Sequence, residues 1–198
     1  MFLKFNLWKK LLKEAWKGGG LWVGSREDSY YISSGWWIMK ILKESMSNKE
    51  KAAMIELIGE FPEEEEIFKA LEGQGNQYEV GRLETLEEII DREYPHDYQE
   101  TRLIYQQGTK YCRVFQEDTG DTCMLMNNVI SELIDVKSID PMEETPPEGP
   151  YGKQGLRILA WKNNVMKFCM FGRNIEEESE EAAVLELLGN MMLPAIMG

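Results

Sequence analysis

Histidine is nearly absent: His96 is the only one in 198 residues. Its neighbours are Pro95 and Asp97, and a histidine beside an aspartate has the chemistry of a general base. No second histidine or nucleophile motif accompanies it, and adjacency in sequence does not give the geometry of a triad. It reads as a surface-loop residue. Cysteine is scarce too. Cys112, Cys123 and Cys169 are odd in number and lack metal-ligand spacing, which excludes a disulfide framework and points to buried thiols in a reducing cytoplasm. No apolar run approaches the ~20 residues of a membrane span. The N-terminal apolar residues are interrupted by lysine every few positions, unlike a signal peptide. Walker A, dinucleotide, HExxH, CxxC and GxSxG patterns are all missing. Gly18-Gly19-Gly20 ends a helical pattern and precedes a strand, the reverse of a phosphate cradle. The expectation is a cytoplasmic protein that is not an enzyme, with no catalytic residue, no cofactor and no metal site.

Positive charge is missing from most of the chain. Net charge is −13; residues 1–24 carry five Lys and one Glu, a balance of +4, so the remainder stands at −17. So acidic a body is repelled by polynucleotide backbones, which bind through lysine and arginine. It attracts basic protein surfaces. The acidic residues run in clusters: Glu60–Glu66, Glu84–Glu93 and Glu176–Glu181. Four carboxylates in a row at 63–66 suggest a solvated first turn of a helix opened by Pro62, where the macrodipole favours negative charge. Adjacent helical residues point in different directions, which argues against a metal site there.

What is present is a core. Apolar residues make up 43% of the chain, enough for one compact domain over 1–198, or for two halves, 1–95 and 96–198. Ser29 to Ile41 is the densest run of β-formers, read as two strands meeting at Ser34-Gly35 with Tyr30, Ile32, Trp37 and Met39 on one buried face. Residues 2–17 read as an amphipathic helix, its apolar face formed by Phe5, Trp8, Leu11, Leu12, Ala15 and Trp16. It is expected to dock on the sheet with its lysines facing solvent or the acidic body. Leu21–Val23 reads as a strand, 49–59 as a helix burying Ala52, Ile55 and Ile58 or Leu57, and 85–90 as a helix capped by Thr85. Glu93 to Glu100 reads as a loop. Thr101–Tyr105, Lys110–Phe115 and Thr122–Leu125 form an antiparallel meander turning at 106–109 and 117–121. Asp118, Gly120 and Asp121 lack the distant bidentate Glu of a calcium loop. A short helix follows, to about Asp135. Residues 138–155 hold Pro141, Pro146, Pro147 and Pro150 and read as a mobile crossing loop. Leu156–Trp161 and Val165–Phe171 form a hairpin, and Glu176–Leu188 the last helix. The apolar tail 191–197 packs within the molecule or onto a partner, including a second copy.

The order of these elements, with Tyr31-Ile32-Ser33-Ser34-Gly35-Trp36-Trp37-Ile38-Met39-Lys40 early and the methionine-rich Val165–Phe171 hairpin late, resembles DNA processivity clamps. It is also similar to uncharacterised proteins of Firmicute phages and mobile elements. That resemblance implies a clamp-like arrangement of two halves and, as an alternative function, a sliding-clamp-like replication accessory with Lys9, Lys10, Lys13 and Lys17 facing a channel.

The expected fold is α+β, antiparallel sheet with helices packed on one side. The expected function is that of an acidic protein-binding module. It would be a phage or mobile-element inhibitor, an anti-CRISPR-type DNA mimic, occupying the basic groove of a nucleic-acid-handling host protein. The residues expected to meet the partner are Glu63, Glu64, Glu65, Glu66, Glu87, Glu88, Glu176, Glu177, Glu178, Glu180 and Glu181. No direct binding to nucleic acid or membrane is expected. A hydrolase whose metal is held only by Asp and Glu stays open as a further alternative.

Overall fold

The computed structural model describes residues 1–107, 109–120, 122–137, 146–176 and 178–196. Gly108, Asp121, the 138–145 part of the proline-rich stretch, Glu177 and the last two residues lie outside them. The chain is α+β, built from antiparallel strands and helices. It divides into two compact units: Met1–Arg92 with Leu133–Glu148 and Lys162–Cys169, and Glu93–Glu132 with Gly149–Trp161 and Met170–Gly198.

Unit 1 is organised on β1 (Leu21–Arg26), β2 (Ser29–Ser33) and β3 (Trp37–Leu42). The two strands read from Ser29 to Ile41 are β2 and β3, and Ser34 and Gly35 lie in the turn between them. In the register Val23 faces Ile32, Ile32 faces Met39 and Tyr30 faces Ile41. Cross-strand partners share a face, so Tyr30, Ile32, Trp37 and Met39 line one side as the alternation requires. Val23, Ile32, Trp37 and Met39 are each 0% exposed. On the opposite face lie Gly24, Tyr31 and Lys40.

Helix α1 (Phe5–Lys17) buries Trp8, Leu11, Leu12 and Ala15 and packs on β1 and on α2 (Asn48–Ile58). Its lysines meet acidic side chains of the same unit: Lys9 bonds Glu56 at 2.6 Å and Lys17 lies 3.6 Å from Glu72. In α2 the capping residue is Ser47, not Asn48. Its hydroxyl accepts from the Glu50 N–H while the Glu50 carboxylate accepts from the Ser47 N–H. That start turns Ala53, Met54 and Ile58 inward and leaves Ile55 exposed, a stripe rotated from the expected Ala52 and Ile55.

No helix follows Pro62. The four glutamates form a turn into β4 (Ile67–Ala70), which pairs with β1 and with the short β5 (Gln77–Tyr78). Phe68, opposite Val23, is 0% exposed, and burying it outweighs the local helix signal. Helix α3 (Arg82–Ile90) lies on the Gly24 face. A Cβ at Gly24 would come within 2.8 Å of Leu83 Cδ1, so the missing side chain is what lets α3 approach β1. Its N-cap is Gly81 at φ 76°, and Thr85 sits inside the helix.

Unit 2 holds the expected meander: β6 (His96–Gln107), β7 (Lys110–Glu117) and β8 (Cys123–Asn127). Strand β6 starts earlier than expected, at His96, because His96 and Asp97 pair with Gly152 and Tyr151 of β9 (Glu148–Gly152). A strand therefore runs inside the proline-rich stretch. The β6–β7 register shifts between Glu100 and Ile104. There the buried Thr101 hydroxyl donates to the Val114 carbonyl at 2.9 Å and accepts from the Leu103 N–H, replacing the lost ladder bonds. After the short α4 (Ile130–Leu133) comes β10 (Ile158–Lys162), in unit 2 as far as Trp161; the turn in which Asn163 accepts from the Val165 and Met166 N–H groups, and β11 (Met166–Phe171) as far as Cys169, belong to unit 1. Helix α5 is Glu180–Gly189, starting at its cap Ser179, whose hydroxyl accepts from the Ala182 N–H. The apolar tail returns along β6: Thr101 bridges Ala195, and the Ile196 N–H donates to the Glu100 carbonyl. No helix among the described residues is long and apolar enough to cross a membrane.

Candidate functional site

Arg26 ends β1 on the face that α3 covers. From there its guanidinium reaches three carboxylates that are distant in sequence. It donates to Glu65 at 2.7–2.8 Å, to Glu87 at 2.5 Å and to Glu84 at 3.1 Å. Glu84 and Glu87 stand one turn apart on α3, on the same helix face. Glu65 comes from the 63–66 turn. Lys43 makes the second tie, bonding Glu64 at 2.7 Å. The bonds to Glu65 and then Glu87 raise the Arg26 pKa further above its usual range. Lys43 is the main cause holding Glu64 below the usual carboxylate range; for Glu84 the main cause is a backbone N–H, with Arg26 second.

The two turns under this patch are locked to each other. The Ser25 N–H donates to the Glu66 carbonyl and the Glu65 N–H to the Ser25 carbonyl, both at 2.9 Å, and the Glu64 carboxylate accepts from the Glu27 N–H. Glu27 and Glu65 both have positive φ, 50° and 63°, a conformation that disfavours any residue with a Cβ. Glu63 and Glu88 stay exposed, Glu88 within 3.3 Å of Arg92. At the far end of α3 Asp91 bonds Lys40 at 2.8 Å. Burial works against the Lys40 charge, but the bonds to Asp91 and Tyr31 outweigh it and its pKa is raised.

Of the expected contact residues on unit 1, Glu65 and Glu87 bond Arg26 and Glu64 bonds Lys43; Glu63, Glu66 and Glu88 are their neighbours along the chain, with the Glu66 carboxylate accepting from the Glu63 N–H and Glu88 beside Arg92. The others belong to unit 2. Glu176, Glu178 and Glu180 are exposed; Glu181 bonds the Tyr105 hydroxyl and lies 3.5 Å from Arg173. Arg26 and Lys43 were not singled out from the sequence, and Glu84 entered only as the start of the Glu84–Glu93 acidic run. Arg26 lies 39 and 61 positions from Glu65 and Glu87, and only the β1–β4 pairing and the seat of α3 on Gly24 bring them together.

His96 stands on β6, not on a loop. Its Nδ1 is 2.8 Å from Oε1 of Glu117, which is 1% exposed. Neither Glu117 oxygen makes an aligned hydrogen bond among the described residues. Burial, with the Glu117 charge second, pushes the neighbouring Tyr98 phenol up to about 12. The Tyr98 ring occupies the space a Cβ at Gly152 would need, at 2.4 Å. Cys112 and Cys169 are buried thiols outside any disulfide, and burial pushes the Cys123 thiol up to about 11. No group of three or more His, Cys, Asp or Glu side chains is arranged to hold a metal among the described residues. Comparison with known proteins finds no matching family model, no matching curated protein and no matching solved structure.

Proposed function

We propose that this chain is a non-enzymatic binding module whose unit 1 patch docks on the basic surface of another protein, of the kind that grips nucleic acid, and blocks that surface. One observation supports this above the rest: two acidic runs from different parts of the sequence meet on one surface, where carboxylates outnumber Arg26, Lys43 and Arg92. Arg26 and Lys43 hold the patch in shape without cancelling it. A rigid array of carboxylates offers a basic groove what phosphates offer it, without the counterion atmosphere of a polynucleotide. The left-handed backbone at Glu27 and Glu65 fits the same reading, since strained positions of this kind gather at sites where a side chain is needed.

The test is titration of an arginine-rich peptide into isotope-labelled chain at physiological ionic strength, about 0.15 M. Resonance shifts are expected at 26–28, 63–66 and 84–92. The paired changes Glu63→Gln and Glu88→Gln should weaken binding about tenfold, or about 1.4 kcal/mol. Glu176→Gln with Glu178→Gln and Glu180→Gln should leave it nearly unchanged. Equal losses from both sets, or no binding at that salt, would overturn the proposal.

A further inference from the structure

Acidic residues outnumber basic ones 35 to 22 in this chain, yet one pocket of unit 1 is lined by three lysines and, among the described residues, by no acid. It holds about 200 Å³, and Lys40, Lys162 and Lys167 share its lining with the apolar Leu42, Val165 and Met166. Lys40 and Leu42 stand on one face of β3, Lys162 ends β10, and Lys167 lies on β11. The Leu42 N–H donates to the Val165 carbonyl at 3.0 Å, which ties the end of β3 to the turn before β11. Lys40 bonds Asp91 at 2.8 Å and Lys162 lies 3.8 Å from Glu148, but neither carboxylate lines the pocket. Lys167 is half-buried, and its Nζ donates to the Arg92 carbonyl at 3.0 Å. Burial is the main cause that holds the Lys167 pKa below its usual value; the Lys162 and Lys40 charges add to it, and Cys169 and Asp91 oppose it. A lysine taken out of water and set beside other cations has the character of an amine that attacks carbonyl carbon.

We propose that this pocket is a covalent binding site for a small organic anion that carries an aldehyde or ketone: Lys167 captures the carbonyl carbon as an imine, and Lys40 and Lys162 hold the anionic end. The lysines select the charge, since each ammonium offers donors and no acceptor, and an anion among them relieves their mutual repulsion. The volume selects the size. A cavity of about 150 Å³ takes a benzene ring, so this one admits a small molecule and no folded partner. Leu42, Val165 and Met166 suit its carbon chain. The step balances without an oxidant or reductant. The Lys167 ammonium first gives one proton to solvent. Its lone pair then bonds the carbonyl carbon, the carbon–oxygen bond breaks, and the oxygen leaves as water with the two hydrogens of the amine. None of the carboxylates bonded to Arg26 or Lys43 lines the pocket, so the site does not depend on the acidic patch.

Reductive trapping of the full chain at neutral pH tests this, with glyoxylate as an anionic aldehyde and acetaldehyde as a neutral one. Cyanoborohydride adds hydride to the imine carbon and makes the adduct permanent, and peptide mass spectrometry reads it at each lysine. With glyoxylate, Lys167 should be labelled several-fold faster than the exposed Lys153. The ratio of glyoxylate to acetaldehyde labelling should also be higher at Lys167 than at Lys153. Lys162→Gln, at an exposed position, should bring the Lys167 ratio down toward that of Lys153 with an unchanged far-UV circular dichroism spectrum. Labelling at Lys167 no faster than at Lys153, equal ratios at the two lysines, or a Lys167 ratio that Lys162→Gln leaves as it was would overturn the proposal.

Discussion

The strands β1, β2 and β3 of unit 1 bury Leu21, Val23, Ile32, Trp37 and Met39 completely and take in only the small hydroxyls of Ser25, Ser29 and Ser33. Glu50, in the capping box of α2, is buried; Glu64, Glu65, Glu84 and Glu87 lie on turns and helix surfaces, where Arg26 and Lys43 bond them. The strands β6, β7 and β8 of unit 2 instead take Thr101, Gln116 and Glu117 into their interior, all at or below 1% exposure. In unit 1 the apolar sheet does not depend on the charges above it, so the charged surface can change without the core changing. In unit 2 a polar group inside the sheet is also what fastens the outer elements. Gln116 shows this best. Its Nε2 donates to the carbonyls of Leu188 and Met191, and its Oε1 accepts from the Leu193 N–H. One side chain satisfies the end of α5 and the start of the tail. Glu117, its neighbour, has only His96 within ion-pair distance among the described residues.

Breaking the unit 2 side of this contrast should have the largest effect. Gln116→Leu keeps nearly the same volume but removes the partner of the Leu193 N–H and of the Gly120, Leu188 and Met191 carbonyls. The expected loss is about 2–3 kcal/mol by urea unfolding, the cost of stranding buried backbone groups. Amide exchange should accelerate first at 188–196. If the loss is below about 0.5 kcal/mol, near the scatter of surface substitutions, Gln116 fills space and does not fasten the tail.

The Ser29–Ile41 strands were legible because a dense run of aromatic and β-branched residues broken by one glycine is a local signal; alternation alone would have missed that both faces are covered, with Tyr31 and Ile38 on the second face also buried. Trp8, Leu11, Leu12 and Ala15 were legible for the corresponding helical reason. The turn at Glu63–Glu66 was misread because Pro62 followed by glutamates satisfies the local rule for a helix start, while the need of Val23 for Phe68 across the sheet is long-range. His96 was assigned to a loop because β6 begins there only by pairing with β9, more than 50 residues later. Ser179 competes with Pro-free acidic residues upstream as the start of α5, and only the bond to the Ala182 N–H selects it. For the candidate site the acidic residues were visible as runs. Their convergence was not, since it needs Arg26, an unremarkable turn residue in sequence, and Gly24, whose role is to be small beneath α3.

Arg26→Gln sharpens the unit 1 side. The core below is untouched, so the expected loss is only about 1 kcal/mol, typical of a part-buried charge network. It should shrink in high salt, which screens the repulsion left among Glu65, Glu84 and Glu87. Acid should show the same tie. Glu64 and Glu84 have folded pKa values below the usual range. Their contribution is therefore complete above the unfolded value of about 4.3 and is lost as pH falls through the folded value. Arg26→Gln should flatten the stability profile below about pH 4, because Arg26 is part of what depresses Glu84. Stability in urea, compared at neutral pH and at acid pH, reads both effects. A variant that is as unstable in high salt as in low would mean that Arg26 acts by packing its stem and not by charge.

The smallest effect separates backbone strain from side-chain use within the patch. At Glu27 the positive φ of 50° is disfavoured by the Cβ, and the Glu27 carboxylate has no bonding partner among the described residues. Glu27→Gly removes the local strain of about 1–2 kcal/mol and gives back about 0.4–1 kcal/mol through the freer unfolded chain, so a net gain of about 0.5 kcal/mol is expected. At Glu65, φ 63°, the same relief comes with loss of the bond to Arg26. Glu65→Gly should fall short of Glu27→Gly by the worth of that bond, and in the Arg26→Gln background the shortfall should disappear. If instead the two glycine variants behave alike with Arg26 in place, the Arg26–Glu65 bond adds nothing to stability. The strained backbone at Glu65 would then be maintained for the surface it presents and not for the internal tie.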